Sequence, residues 1–141
     1  GNLVFDILKD TDVKAAGGLT LGADPIANAL ALISFEKGRP IRSFIVRKDA
    51  KAHGTRSKIE GNVRPGDKVA VIDDVVTTGA STIAAVESAR EAGLTVELAV
   101  VLIDREEGGR ELIERHVRPV VPILTRSEIM ARYREKAAGK S

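Results

Sequence analysis

The chain predicts an α/β fold, a central parallel five-stranded sheet flanked by helices, in a single core domain over residues 1–141. Apolar runs bounded by turn residues alternate with helix-like stretches, the pattern of repeated β-α-β units. One such run, residues 68–72, is short, β-branched and apolar, the kind that forms a central parallel strand. A length of 141 residues and a hydrophobic fraction of 43% suit one core, and no linker or repeat interrupts the chain.

In chain order the spacing predicts a helix over 3–9, a strand over 13–16, a helix over 24–35 and a strand over 43–46. The β-branched run gives a strand over 68–73, and the helix after it covers 82–92, closed by Gly93 just past its end. A strand follows over 96–103, a helix over 107–115 and a last strand over 117–123. The terminal helix starts near Glu128. Thr125-Arg-Ser-Glu128 has capping-box spacing, and Arg132, Arg134 and Lys136 lie toward the end that the helix dipole makes favourable for cations.

Composition narrows the function. With no cysteine, the chain has neither a disulfide framework nor a thiolate metal site. No apolar run reaches the length of a membrane span or sits behind a basic start, so the expectation is a cytoplasmic protein with no membrane partner. A net charge of +2 is too small for a general nucleic-acid field, and no nucleic-acid partner is expected. Five cations nevertheless gather between 47 and 58 (Arg47, Lys48, Lys51, Arg56 and Lys58), which suggests a local polyanion. His116 has no acid or metal-ligand spacing beside it and reads as structural, and the isolated Tyr133 reads as packing.

Chemistry concentrates in residues 69–81. Asp73 and Asp74 lie at the carboxyl end of the 68–73 strand, where open α/β sheets place ligands. Val75 and Val76 follow, and Thr77, Thr78, Gly79, Ala80 and Ser81 turn the chain toward the next helix. Backbone N–H groups and two or three hydroxyls thereby face one spot near a positive helix terminus, which fits a phosphate. A buried strand followed by a helix cap would explain Ser81 or Thr82 and the glycine as well. It does not explain two adjacent carboxylates, which repel each other and resist burial unless cations partner them.

This run resembles the phosphoribosyl pyrophosphate (PRPP) motif of the type I phosphoribosyltransferases along its whole length. The resemblance implies that family's fold with a flexible catalytic loop. It implies that Asp73 and Asp74 hydrogen-bond the ribose hydroxyls, and that Val75, Val76, Thr77, Thr78, Gly79, Ala80 and Ser81 complete the PRPP site around the 5′-phosphate. The loop over 16–24 is, taken alone, an ordinary glycine-rich strand-to-helix turn, although its glycines let a backbone approach a ligand closely. In the family the matching loop, here Gly17, Gly18, Leu19, Thr20, Leu21 and Gly22, cradles pyrophosphate. Many orotate-using members carry lysine where Leu21 stands, so backbone amides and the next loop are expected to meet that charge.

The polar, glycine-punctuated segment 47–61 has no apolar period to hold it against a core, and an unremarkable solvated loop would look the same. Its Arg47-Lys48-x-x-Lys51-x-His53-Gly54 spacing is similar to the catalytic loop of orotate phosphoribosyltransferases. That similarity implies a lid in which Arg47, Lys48, Lys51 and His53 face PRPP, with Lys51 and His53 joining Asp73 and Asp74 as catalytic residues. Cations closing over a departing pyrophosphate would stabilise its charge while excluding water. Residues 104–109, Asp-Arg-Glu-Glu-Gly-Gly, resemble the segment of the same family whose arginine contacts orotate. Arg105 and Thr77 are thus implied base contacts, although an exposed turn with Arg105 paired to Glu106 or Glu107 would read alike.

The resemblance implies Mg2+-dependent transfer of the phosphoribosyl group from PRPP to orotate, giving orotidine 5′-monophosphate and pyrophosphate. No dedicated protein metal site is implied, since magnesium arrives with the substrate phosphates. It also implies a homodimer sharing the 47–61 loop between subunits. The family's N-terminal base-covering segment is expected to be missing before Gly1, either because residues ahead of it were removed or left unobserved or because this is a shortened relative, and a molecule that truly began there would be expected to turn over orotate weakly while keeping its PRPP site. Three rivals stay open: a purine phosphoribosyltransferase, a PRPP-sensing regulatory nucleic-acid-binding protein of the same fold, and an aspartate-bearing receiver module.

Overall fold

Parallel strands that are apolar at nearly every position need cover on both faces, and here helices supply it on each side of one sheet. The computed structural model describes residues 1–49 and 58–139. In chain order these form α1 (Asn2–Leu8), β1 (Ala15–Leu19), α2 (Asp24–Glu36), β2 (Arg42–Val46), β3 (Ile59–Gly61), β4 (Lys68–Val76), α3 (Ala80–Glu91), β5 (Thr95–Asp104), α4 (Gly109–Ile113), β6 (Val120–Thr125) and α5 (Arg126–Ala138). The strands pair in the order β3-β2-β1-β4-β5-β6. All pairings are parallel except β2 with β3.

The five expected parallel strands are present, and β3 adds a sixth, antiparallel at the edge. Its three residues are too few to show an apolar period, and main-chain pairing of Val46 with Ile59 and Phe44 with Gly61 makes the strand. β4 continues past 73 to Val76 because Val75 and Val76 pair with Ile103 and Asp104 of β5. α4 occupies only Gly109–Ile113 of the helix expected over 107–115, since Arg105 to Gly108 are taken up by the turn that precedes it.

Strand alternation divides the core. Val69 and Val71 of β4 pack in one cluster with Phe44, Val86 and Ile113, on the side of α3 and α4. Ala70 and Ile72 pack in the other with Leu8, Leu30 and Val100, on the side of α1 and α2. Each large side chain buried this completely contributes about 1.5–3 kcal/mol. α5 differs, with no buried residue, and Tyr133 on it is 68% exposed, so the expected packing role is not met. The expected capping box does form there, between Thr125 and Glu128. No helix among the described residues is long and apolar enough to cross a membrane.

The connection β1-α2-β2 builds the sheet one way and β4-α3-β5 builds it the other. The order therefore reverses between β1 and β4, and a crevice opens beyond their carboxyl ends.

Candidate active site

β4 delivers Asp73 and Asp74 to this crevice in different surroundings. Asp73 is 7% exposed. Its Oδ2 accepts a hydrogen bond from Thr82 Oγ1 at 2.6 Å and its Oδ1 accepts the Asp74 N–H at 3.0 Å. Burial pushes its carboxyl above the usual aspartate range and the adjacent Asp74 adds to the effect, while the Thr82 hydroxyl opposes it. Asp74 is half-buried, and its Oδ1 accepts the Val75 N–H at 2.8 Å. Among the described residues neither acid has a cationic partner, so the arrangement lacks what a purely structural pair of carboxylates requires.

The turn after β4 closes at Gly79, whose φ of 83° disfavours any side chain. A Cβ there would also lie 2.8 Å from the Gly109 carbonyl oxygen. α3 then begins at Ala80, and its first turn presents N–H groups that have no acceptor within the helix. Asp73, Val75, Val76, Thr77, Thr78, Gly79, Ala80 and Ser81 line a cavity of about 30 Å³ at this point.

The glycine-rich loop divides into two parts. Gly17 and Gly18 are buried within β1, where a Cβ would run into the Phe44 and Ile72 carbonyls, so sheet packing already requires them. Leu19 ends the strand, and Thr20, Leu21 and Gly22 form the turn into α2. The Thr20–Leu21 peptide is cis, Leu21 is 80% exposed, and Thr20 Oγ1 donates to Asp24 Oδ2 at 2.6 Å. A Cβ on Gly22 would sit 2.5 Å from Asp74 Oδ1, so this turn lies directly against the second acid.

On the other side of the acids the turn after β5 packs onto the β4 turn. The Arg105 N–H donates to the Val76 carbonyl at 3.0 Å, and a Cβ on Gly109 would run into the Thr77 carbonyl. Thr77 and Arg105 are thereby neighbours. The Arg105 guanidinium pairs with Glu107 at 2.8 Å, a contact that is half-exposed and correspondingly weak. Arg47 is held at the base of its loop by Glu60, 2.9 Å away, and Lys48 is exposed. Lys51 and His53 lie outside the described residues. His116 sits elsewhere, its Nδ1 3.8 Å from Glu87.

Thr82 and the 104–109 segment were named from the sequence, but not the contacts that Thr82, Asp104 and Gly109 make. Thr82 meets Asp73 only through the β4-α3 fold, and nothing local signals that pairing. The Gly108-Gly109 pair did carry a signal, since a second glycine at a helix start points to a close backbone neighbour. Among the described residues no group of three or more His, Cys, Asp or Glu is placed to hold a metal ion.

No family model matches the chain. It is 47% identical over 130 residues to the orotate phosphoribosyltransferase of Aquifex aeolicus (strain VF5), an alignment covering 92% of this chain and 71% of that protein. The crystal structure of Mycobacterium tuberculosis H37Rv orotate phosphoribosyltransferase in complex with Fe(III) dicitrate superposes with a TM-score of 0.79 at 40% identity, over 90% of this chain and 71% of that one. The structure of the same protein in complex with PRPP superposes with a TM-score of 0.77 at 37% identity, over 90% and 71% of the two chains.

Proposed function

The chain belongs to the orotate phosphoribosyltransferase family, and on that premise we propose that it moves the phosphoribosyl group of PRPP onto N1 of orotate, releasing pyrophosphate. The observation that carries this reading is the meeting of three turns at one crevice. The small cradle after β4 is lined by Asp73, the Gly22 turn lies against Asp74, and the Arg105 turn is bonded to Val76, which also lines the cradle. PRPP offers a 5′-phosphate to the cradle, a ribose diol to the acids and a pyrophosphate to the Gly22 turn, which leaves the Arg105 turn for the base.

In this reading Thr77, Thr78, Gly79, Ala80 and Ser81 bind the 5′-phosphate through backbone N–H groups and hydroxyls. Asp73 and Asp74 accept hydrogen bonds from the ribose hydroxyls. Asp74 presents more surface to a ligand, whereas Asp73 is anchored by Thr82. The turn of Thr20, Leu21 and Gly22 meets the pyrophosphate, with Arg47, Lys48, Lys51 and His53 closing from the 47–61 loop. Arg105 exchanges Glu107 for the carboxylate of orotate, a bidentate partner that an uncharged purine lacks, and Thr77 supports the ring.

No protein nucleophile is required. As the pyrophosphate leaves, carbon 1 of the ribose becomes cation-like and N1 of orotate forms the new bond, so alignment and charge stabilisation supply the catalysis. The carboxylate oxygens of Asp73 and Asp74 are the hard donors that a magnesium ion carried by PRPP prefers, and such an ion would offset pyrophosphate charge when bound. The functional unit is a homodimer in which the 47–61 loop reaches the partner's site, a reading supported by family membership.

The test is ultraviolet measurement of orotate consumption with PRPP and Mg2+, with adenine and hypoxanthine in parallel. PRPP-dependent loss of orotate alone is expected. Turnover of a purine with orotate untouched would overturn the assignment of Arg105.

A further inference from the structure

We propose that Glu106 is a positioning residue for base recognition. Its side chain ties the turn carrying Arg105 to the first turn of α5 and so fixes where that guanidinium can meet a carboxylate. This deepens the orotate reading above and rests on it.

Glu106 is the one non-glycine residue with positive φ among the described residues, at 58°. A glutamate in this region is disfavoured and persists only where its surroundings over-determine it. Two contacts do so. The Glu106 N–H donates to Asp104 Oδ1 at 2.8 Å, and Asp104 is itself 5% exposed. Glu106 Oε2 accepts from the Ser127 N–H at 2.9 Å and from Ser127 Oγ at 2.5 Å. Glycine would suit the backbone better than glutamate. The carboxylate must therefore contribute something a glycine would lose, and its only bonds among the described residues run to the start of α5.

The neighbouring residue shows what is gained. The Arg105 N–H is held by Val76 on the β4 side, while Glu106 anchors the next residue to α5 on the other. The Arg105 backbone is thus clamped from both directions. The side chain faces a cleft of about 360 Å³ that is also lined by Arg126, Ser127, Met130 and Arg134. Ser127 holds the Glu106 carboxylate, leaving Arg105 paired with Glu107, whose side chain is 39% exposed. Released from Ser127, Glu106 would be a second carboxylate competing for the same guanidinium. The tether therefore both places Arg105 and keeps an acid away from it.

The experiment compares Glu106→Gly, Glu106→Gln and Ser127→Ala with the parent protein, reading KM for orotate, KM for PRPP, kcat and Tm. Glu106→Gly relieves the backbone while removing the tether, so Tm is expected to hold while KM for orotate rises about tenfold and KM for PRPP stays within about twofold. Glu106→Gln keeps an acceptor for Ser127 and is expected to restore the parent KM. Ser127→Ala, which keeps the N–H donor, is expected to fall between. An unchanged KM for orotate in Glu106→Gly, or equal rises in both KM values, would overturn the proposal.

A parent protein without orotate turnover would instead sink the functional reading. Amide hydrogen exchange then decides on the tether. Protection lost together at residues 104–107 and 126–128 in Glu106→Gly, and kept in Glu106→Gln, supports it; unchanged exchange in both variants overturns it.

Discussion

Asp73 and Asp74 share one chemistry and two environments. The inner acid is buried against Thr82, the outer one faces the crevice, and the elevated pKa of Asp73 has a consequence for stability. A carboxyl whose folded pKa lies above its unfolded value, about 3.9, favours folding while protonated. That contribution is complete below the unfolded value and is lost as pH rises through the folded one. In Asp73→Asn, which does not titrate, the Tm difference from the parent is therefore expected to grow more positive between about pH 3 and pH 7. A constant offset from the altered bonds to Thr82 and Asp74 would leave that slope intact, and a flat or falling difference would contradict it. The same change is expected to lower kcat/KM by about 10–100-fold through loss of a charged acceptor. The pair was legible because adjacent acids at a strand end have few structural uses. The bond from Thr82 to Asp73 was not, because it depends on how α3 leaves the sheet rather than on any local pattern.

At the scale of elements, the sequence revealed the long parallel strands and hid the joints between them. Apolar runs identify β4 and β5, whereas the three-residue β3 and the last part of β4 exist through pairing with a neighbour. The glycines illustrate the same limit. Gly17 and Gly18 read as a ligand-facing loop, yet the carbonyls of Phe44 and Ile72 already require them in β1. Gly79 serves both purposes: its φ of 83° sets the turn, and the space its Cβ would fill belongs to the Gly109 carbonyl and Ile113. Asparagine tolerates a left-handed backbone far better than alanine does. If conformation alone mattered, Gly79→Asn would retain activity where Gly79→Ala lost it. Contact with α4 leads to the opposite expectation, that both lower kcat/KM about a hundredfold by displacing the cradle. Near-normal activity in Gly79→Asn would show that the turn needs only the torsion angle.

Across the whole molecule, the crevice between β1 and β4 gathers from one chain the residues proposed to contact sugar, phosphate and base, while the cations proposed for the leaving group come from the 47–61 loop. If that loop serves the partner's site, the catalytic unit is the dimer, and subunit mixing can reveal it. Lys51→Ala and Asp74→Asn are each expected to be nearly inactive alone, the first with PRPP affinity largely kept if Lys51 acts, as proposed, on departing charge. In an exchanged heterodimer of the two, a loop reaching across would place both defects in one site and leave the other site whole. An equal mixture, fully exchanged, would then recover about a quarter of the parent rate. A loop folding back on its own subunit would leave one defect in every site, and no rate would return. Recovery that appears with the time course of subunit exchange assigns the lid to the partner. Its absence, with exchange verified independently, confines each active site to a single chain.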